Sequence, residues 1–185
     1  MKPRLRPAAP LQRGDAAATV APSSALLSDQ QLLEGLSILR EWGLKPLEQH
    51  VAGRTWGYLA GPDRDRRRDL SQRAPLLACA RGGWGAARLL EQPMAWSQGW
   101  LLGFSDVTAL LWARLAAGYD GNVHGPLLTT LAAEPQWSRE RLRRLLFGEP
   151  LPDLSGQPGG GGETSGPLLV ANLTVASHLL GSCWM

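Results

Sequence analysis

The chain has 185 residues, 44% of them hydrophobic, with 19 basic against 16 acidic side chains and a net charge of +3. That length suits one domain, or one domain with part of a second, and the apolar share is enough for a packed core. The charge excess is too small to point to nucleic acid, and no stretch approaches the ~20 apolar residues of a membrane span.

The start, MKPRLRPAAPLQRGD, is basic but has no compact apolar segment of the kind a secretion signal needs; Pro7, Pro10, Arg13 and Asp15 interrupt it. Residues 1–14 read as a loose tail. AAATVAP (16–22) reads as a short buried strand ended by Pro22. Ser28 and Gln31 have capping-box spacing, Leu32, Leu33, Leu36 and Leu39 form one helical stripe, and Gly43 stops that helix. KPLEQ is a weak second strand, and Asp63 is placed to cap a helix reaching Leu70. The basic clusters RDRRRDL (64–70) and RERLRRLL (139–146) carry acids and leucines at helical spacing, so solvated helix faces account for them. Aromatic residues do not interleave with these arginines, which argues against a nucleic-acid surface.

PLLACA (75–80) reads as a buried strand, with Cys79 a small core residue. Cys183 is the only other cysteine, no metal-type spacing links the two, and a reducing compartment is the simpler inference. RGGWG is then a glycine turn, WGAARLLE a helix, WLLGF (100–104) a buried strand and DVTALLWARLAAG a helix ended by Gly118. GNVHGP is a short strand or turn, and RERLRRLLFGE is amphipathic. Strands alternating with helices predict an α/β fold, a doubly wound, mostly parallel sheet with flanking helices. Right-handed crossovers would set the strand-to-helix turns along one edge, where such folds bind ligands. Residues 15–147 form this domain. Residues 148–166, rich in Gly, Pro and Ser, read as a linker, and 167–185 as the strand-and-helix start of a second, incomplete domain. Leu168, Leu169, Leu173, Leu179, Leu180 and Trp184 of that start are expected to lack a core of their own.

GFSDVT places Ser105 between an apolar strand and a helix, the position of a nucleophile elbow, although Val107 stands where the usual elbow has glycine. On the motif alone, Ser105 or Asp106 reads as an N-cap rather than a nucleophile. RGGWG could donate backbone N–H groups to the same site, cradle a phosphate, or be a plain tight turn; it lacks the G-x-G-x-x-G pattern and a P-loop lysine. A serine nucleophile needs a base. His50, His124 and His178 are the histidines present, and none has the spacing of a recognised base.

Together, LQRGD, VAPSS, GYLAGPDRDRRRDL, ARGGWGAARLL, LLGFSDVTALL, HGP and ANLTVASHLLG resemble, in order, the LD-carboxypeptidase family of serine peptidases, which includes murein tetrapeptide carboxypeptidases and microcin-immunity peptidases. The matching pieces cover most of residues 11–181. The resemblance implies an N-terminal doubly wound domain carrying the serine and a C-terminal domain supplying a glutamate and a histidine. Ser105 matches the nucleophile, and the backbone N–H groups of Asp106 and Gly83 match the oxyanion hole. The implied activity is release of a terminal D-residue across an L–D peptide bond in cytoplasmic turnover of cell-wall peptides, with no metal or organic cofactor. Cell-wall peptide is the implied partner, nucleic acid and membrane are not, and a homodimer is left open. Val170 and Ala171 stand where the family usually has two glycines before Asn172. Met185 precedes the segments expected to hold the glutamate and histidine, so the chain by itself is expected to be inactive. A non-catalytic peptide-binding module and a microcin-immunity-type peptidase are the alternatives.

Overall fold

The apolar runs lie side by side as one sheet. In the computed structural model, which describes residues 5–48, 51–156, 162–163, 165 and 168–184, β1 (Ala16–Val20), β2 (Lys45–Pro46), β3 (Leu76–Cys79), β4 (Trp100–Gly103) and β5 (Asn122–His124) are arranged in the order β2-β1-β3-β4-β5. All four strand pairings are parallel, with Ala17 opposite Leu76, Leu76 opposite Trp100 and Gly103 opposite His124. The winding direction reverses between β1 and β3, which makes the crevice at their carboxyl ends the topological switch point. The predicted α/β class, a parallel sheet with flanking helices, is what the chain adopts.

Successive side chains of a strand point to opposite faces, and helices cover both faces of a parallel sheet; continuous apolar runs follow from that. On one face Ala17, Leu76, Ala78 and Leu102 meet α1 (Gln30–Glu41), α4 (Leu128–Leu131) and α5 (Gln136–Leu146) through Leu32, Leu39, Leu128, Leu131 and Leu146. On the other face Ala18, Val20, Leu77, Cys79 and Leu101 meet α2 (Asp63–Leu70) and α3 (Thr108–Ala116) through Leu70, Leu110 and Leu111. Cys79 is buried, as expected, and burial pushes its thiol pKa up.

Several local expectations give way to tertiary partners. Residues 5–14, read as loose, are tied down: Arg6 N–H donates to Gly118 O (2.8 Å), Asp120 N–H donates to Arg6 O (3.1 Å), and buried Leu11 bonds Leu146 O. Asp29, not Ser28, occupies the cap position of α1; Ser28 Oγ accepts from Gln30 N–H at 3.2 Å. Asp63 is the first residue of α2 behind Pro62, not its cap. WGAARLLE forms only a 3₁₀ turn at Ala87–Glu91; Pro93 ends the run, and Arg67 donates to the carbonyls of Leu89, Gln92 and Pro93 there.

The segment after the Gly/Pro-rich stretch forms a helix, α6 (Leu173–Leu179), while the described residues 168–172 are not a strand. Their backbone finds side chains of α3 in place of a neighbouring strand: Trp112 Nε1–H donates to Val170 O and Asn172 N–H donates to Thr108 Oγ1. Leu168, Leu169, Leu173 and Leu180 are exposed as expected. Leu179 and Trp184, having no core of their own, pack against the α3 face. Among the described residues no helix is long and apolar enough to cross a membrane.

Candidate active site

Three turns meet at the carboxyl edge of the sheet: Ala21–Ser24 after β1, Arg81–Gly85 after β3, and Phe104–Asp106 after β4. Buried charges of α2 hold the first two. Asp69 accepts from Ala21 N–H (3.1 Å) and pairs with Arg54 (2.7 Å). Arg66, 0% exposed, donates to Pro22 O and to Gly85 O, and pairs with Asp63. One guanidinium thus staples the turn after β1 to the turn after β3. The expectation that residues 64–70 are a solvated face is corrected at Arg66. The reason is that backbone carbonyls of two loops, distant in sequence, are gathered above that helix. The cluster at 139–146 does form an ion-pair face, with Arg143 bonded to Glu140 and Glu149.

Ser105 is the only residue other than glycine with a positive φ, +63°, among those described. The chain leaves β4 extended through Phe104 (φ −143°, ψ −172°), turns sharply at Ser105, and enters a 3₁₀ turn over Ser105–Val107 that leads into α3. A side chain in the left-handed region is held at a cost of order 1–3 kcal/mol, and such residues cluster at functional sites. This is the geometry of an elbow that lifts a hydroxyl off the sheet edge, obtained without the usual following glycine. The capping alternative is not realised: neither Ser105 nor Asp106 makes a side-chain cap to the helix. Asp106 points back instead, and its Oδ2 accepts the Ala86 N–H at 2.8 Å. That bond joins the elbow to the glycine turn. Burial raises the Asp106 pKa above the usual carboxylate range, opposed by the Ala86 N–H bond and the Arg66 charge.

The glycine turn fits closely around the serine. A Cβ on Gly82 would lie 3.1 Å from Ser105 Cβ and 3.3 Å from its Oγ. Gly83 has φ +114°, and a Cβ there would strike Ser24 Oγ at 2.2 Å. Ser24 latches the turn, its N–H donating to Gly82 O (3.3 Å) and its Oγ accepting from Trp84 N–H (3.1 Å). Neither Gly83 N–H nor Asp106 N–H has an acceptor among the described residues. Ser105, Gly82 and Gly83 line a cleft of about 410 Å³ together with Arg81, Phe104, Leu26, Leu127, Gln31 and Thr129. A larger cleft of about 680 Å³, lined by Asp15, Arg73, Pro75, Trp96 and Gly99, lies at the opposite, amino edge of the sheet.

Among the described residues no base contacts the serine. His124, at the end of β5, faces Thr108 with Nε2 3.5 Å from Oγ1, and its ring lies 6.2 Å from that of Phe104. Burial lowers its pKa, favouring the neutral ring. His178, on α6, lies beside Trp84 with ring centroids 6.5 Å apart. His50 falls outside the described residues. Among the described residues no histidine, aspartate or glutamate side chain bonds the Ser105 hydroxyl, and no group of three or more His, Cys, Asp or Glu could hold a metal ion. The motifs located Ser105, Asp106 and Gly83. They did not reveal Arg66, Ser24 or Arg81, whose roles depend on loops brought together from distant parts of the chain; the arginine in RGGWG was the only local signal.

Comparison with known proteins adds three findings. The sequence profile of the LD-carboxypeptidase N-terminal domain matches residues 17–125, which run from β1 past β5 and include all three turns. A protein of Synechocystis sp., proposed by its name to be a carboxypeptidase, is 44% identical over 183 residues, covering 95% of this chain and 60% of that protein. Among solved structures, the microcin C7 self-immunity protein MccF superposes with a TM-score of 0.74 at 20% identity, over 96% of this chain and 66% of its own. Muramoyltetrapeptide carboxypeptidase from Oxalobacter formigenes gives 0.74 at 20%, over 92% and 61%. At that identity the two structures speak for the fold. The chain spans 60–66% of the length of these proteins.

Proposed function

Since this chain belongs to the LD-carboxypeptidase family, we propose that it forms the nucleophile-bearing part of a serine carboxypeptidase that removes a terminal D-amino acid from murein peptides in the cytoplasm. The observation that carries this reading is Ser105, held at φ +63° on the end of β4 and facing the glycine turn across a cleft. In the proposed reaction Ser105 Oγ attacks the carbonyl carbon of the L–D peptide bond while a base takes its proton. The resulting oxyanion accepts hydrogen bonds from the unpaired N–H groups of Asp106 and Gly83. Collapse breaks the C–N bond, the amine leaves as the free D-residue after protonation by the same base, and water hydrolyses the acyl-serine. The fold likeness to MccF and to a muramoyltetrapeptide carboxypeptidase is compatible with a microcin-type or a murein-type peptide, and the L–D linkage is the narrower proposal.

One observation favours the non-catalytic reading for the 185 residues by themselves: no described side chain is placed to activate Ser105. Triad members act as a unit, so a serine without its base retains only a small residual rate. Turnover is therefore expected when the domain is joined to a family-type second domain that supplies glutamate and histidine, and little turnover without it. The test is D-alanine release from a murein tetrapeptide by the joined protein. Ser105→Ala should lower kcat by roughly 10⁴-fold or more. Turnover that survives this change would show another nucleophile at work.

A further inference from the structure

We propose that Arg81 docks the free α-carboxylate at the C-terminal end of the peptide, making the cleft selective for a terminal acid; this inference rests on the peptidase reading of the same site. Among the described residues, Arg81 is the only charged side chain lining the cleft that holds Ser105, Gly82 and Gly83. The other walls are apolar, from Leu26, Phe104 and Leu127, or neutral and polar. Its single bond among the described residues runs from Nη1 to Ala25 O at 2.9 Å. Elsewhere the arginines that pack into the fold either find acids, as Arg54 does with Asp69 and Arg66 with Asp63, or spend their donors on several oxygens at once, as Arg114 does on Gly121 O, Ser97 O and Gly99 O. Arg81 has no carboxylate partner among the described residues.

A guanidinium offers five N–H donors in a rigid fork that matches a carboxylate in bidentate fashion. The bond to Ala25 O takes one donor and orients the fork, so part of the ordering cost of binding is already met. Distance also fits an exopeptidase. In a peptide cut before its last residue, only the amide nitrogen and one Cα separate the scissile carbonyl carbon from the terminal carboxylate carbon, a span of about 4 Å. Arg81 immediately precedes Gly82, whose Cβ position is 3.3 Å from Ser105 Oγ. A cation so placed belongs one residue beyond the attacked bond. A chain that continued past that residue, or ended in an amide, would leave the guanidinium half-buried and unpaired, which is how a polar site rejects the wrong ligand.

The test uses the 185-residue chain and two probes, Nα-acetyl-L-lysyl-D-alanine and its C-terminal amide, with affinities from calorimetry or amide chemical-shift titration. The acid is expected to bind about tenfold or more tighter than the amide. Arg81→Met should remove that preference with amide affinity unchanged, and Arg81→Lys should retain part of it. Equal affinity for acid and amide, no binding of the acid, or a preference that persists in Arg81→Met would each overturn the proposal. The acid–amide comparison in the unaltered chain stands even if a variant fails to fold. The two readings fail separately. Ser105-dependent hydrolysis by the joined protein without acid selection removes Arg81's role alone, whereas acid selection without hydrolysis by the joined protein removes the hydrolase and leaves a carboxylate-binding cleft.

Discussion

The elbow should relax when Ser105 becomes glycine but not when it becomes alanine. Both changes delete the hydroxyl, and that hydroxyl makes no hydrogen bond among the described residues, so neither loses one. They differ in what the backbone at φ +63° requires. Alanine keeps a Cβ in the left-handed region, at a cost of about 1–2 kcal/mol. Glycine removes that cost but has more freedom in the unfolded chain, which offsets about 0.5–1 kcal/mol. The net expectation is that Ser105→Gly is more stable than Ser105→Ala by roughly 0.5–1 kcal/mol, a rise of about 1–4 °C in Tm for a chain of this size. The elbow is held in place by the Asp106–Ala86 bond at 2.8 Å and by the close fit against Gly82, neither of which depends on the serine side chain. Paired thermal melts and urea titrations of the two variants measure the difference. If Ser105→Gly is no more stable than Ser105→Ala, the turn stores no strain and the argument from φ to function fails.

Two further changes probe the supports of the site. Burial holds the Asp106 carboxyl above its usual pKa, so the native state binds the proton more tightly than the unfolded one, and stability contributed by this group falls as pH rises from about 3.9 through the raised native value. Asp106→Asn keeps an acceptor for the Ala86 N–H and should flatten that fall in urea midpoints taken across the acid range; an unchanged pH slope would refute it. Arg66→Leu removes the bonds to Pro22 O and Gly85 O and strips Asp63 of its buried partner, and should cost roughly 2–4 kcal/mol by urea unfolding. A loss under about 0.5 kcal/mol would mean that the two loops hold together without the staple.

What the sequence determined by itself is local and periodic. The runs AAATV, LLAC and WLLG are apolar on both faces, as strands covered on both sides must be, and the helical stretches between them impose parallel crossovers. The same reasoning placed Ser105 at a strand-to-helix junction and RGGWG on the neighbouring turn. It could not decide between elbow and cap, because that choice rests on the sign of one backbone angle and on where the Asp106 carboxylate finds its donor. Only the packed chain decides both: Ala86, twenty residues away, supplies the donor, and the close approach of Gly82 shapes the turn. Arg66 stands in a run of charged residues and Arg81 between an apolar strand and a glycine turn, and neither context says what its guanidinium will meet. One is sealed between two loops with its acid, and the other is left in a cleft with a single carbonyl. Composition counts their charges equally. Their difference comes from which carbonyls and carboxylates the winding order β2-β1-β3-β4-β5 brings within hydrogen-bonding reach, because the energy of a buried charge is set by its neighbours in space and not by its neighbours along the chain.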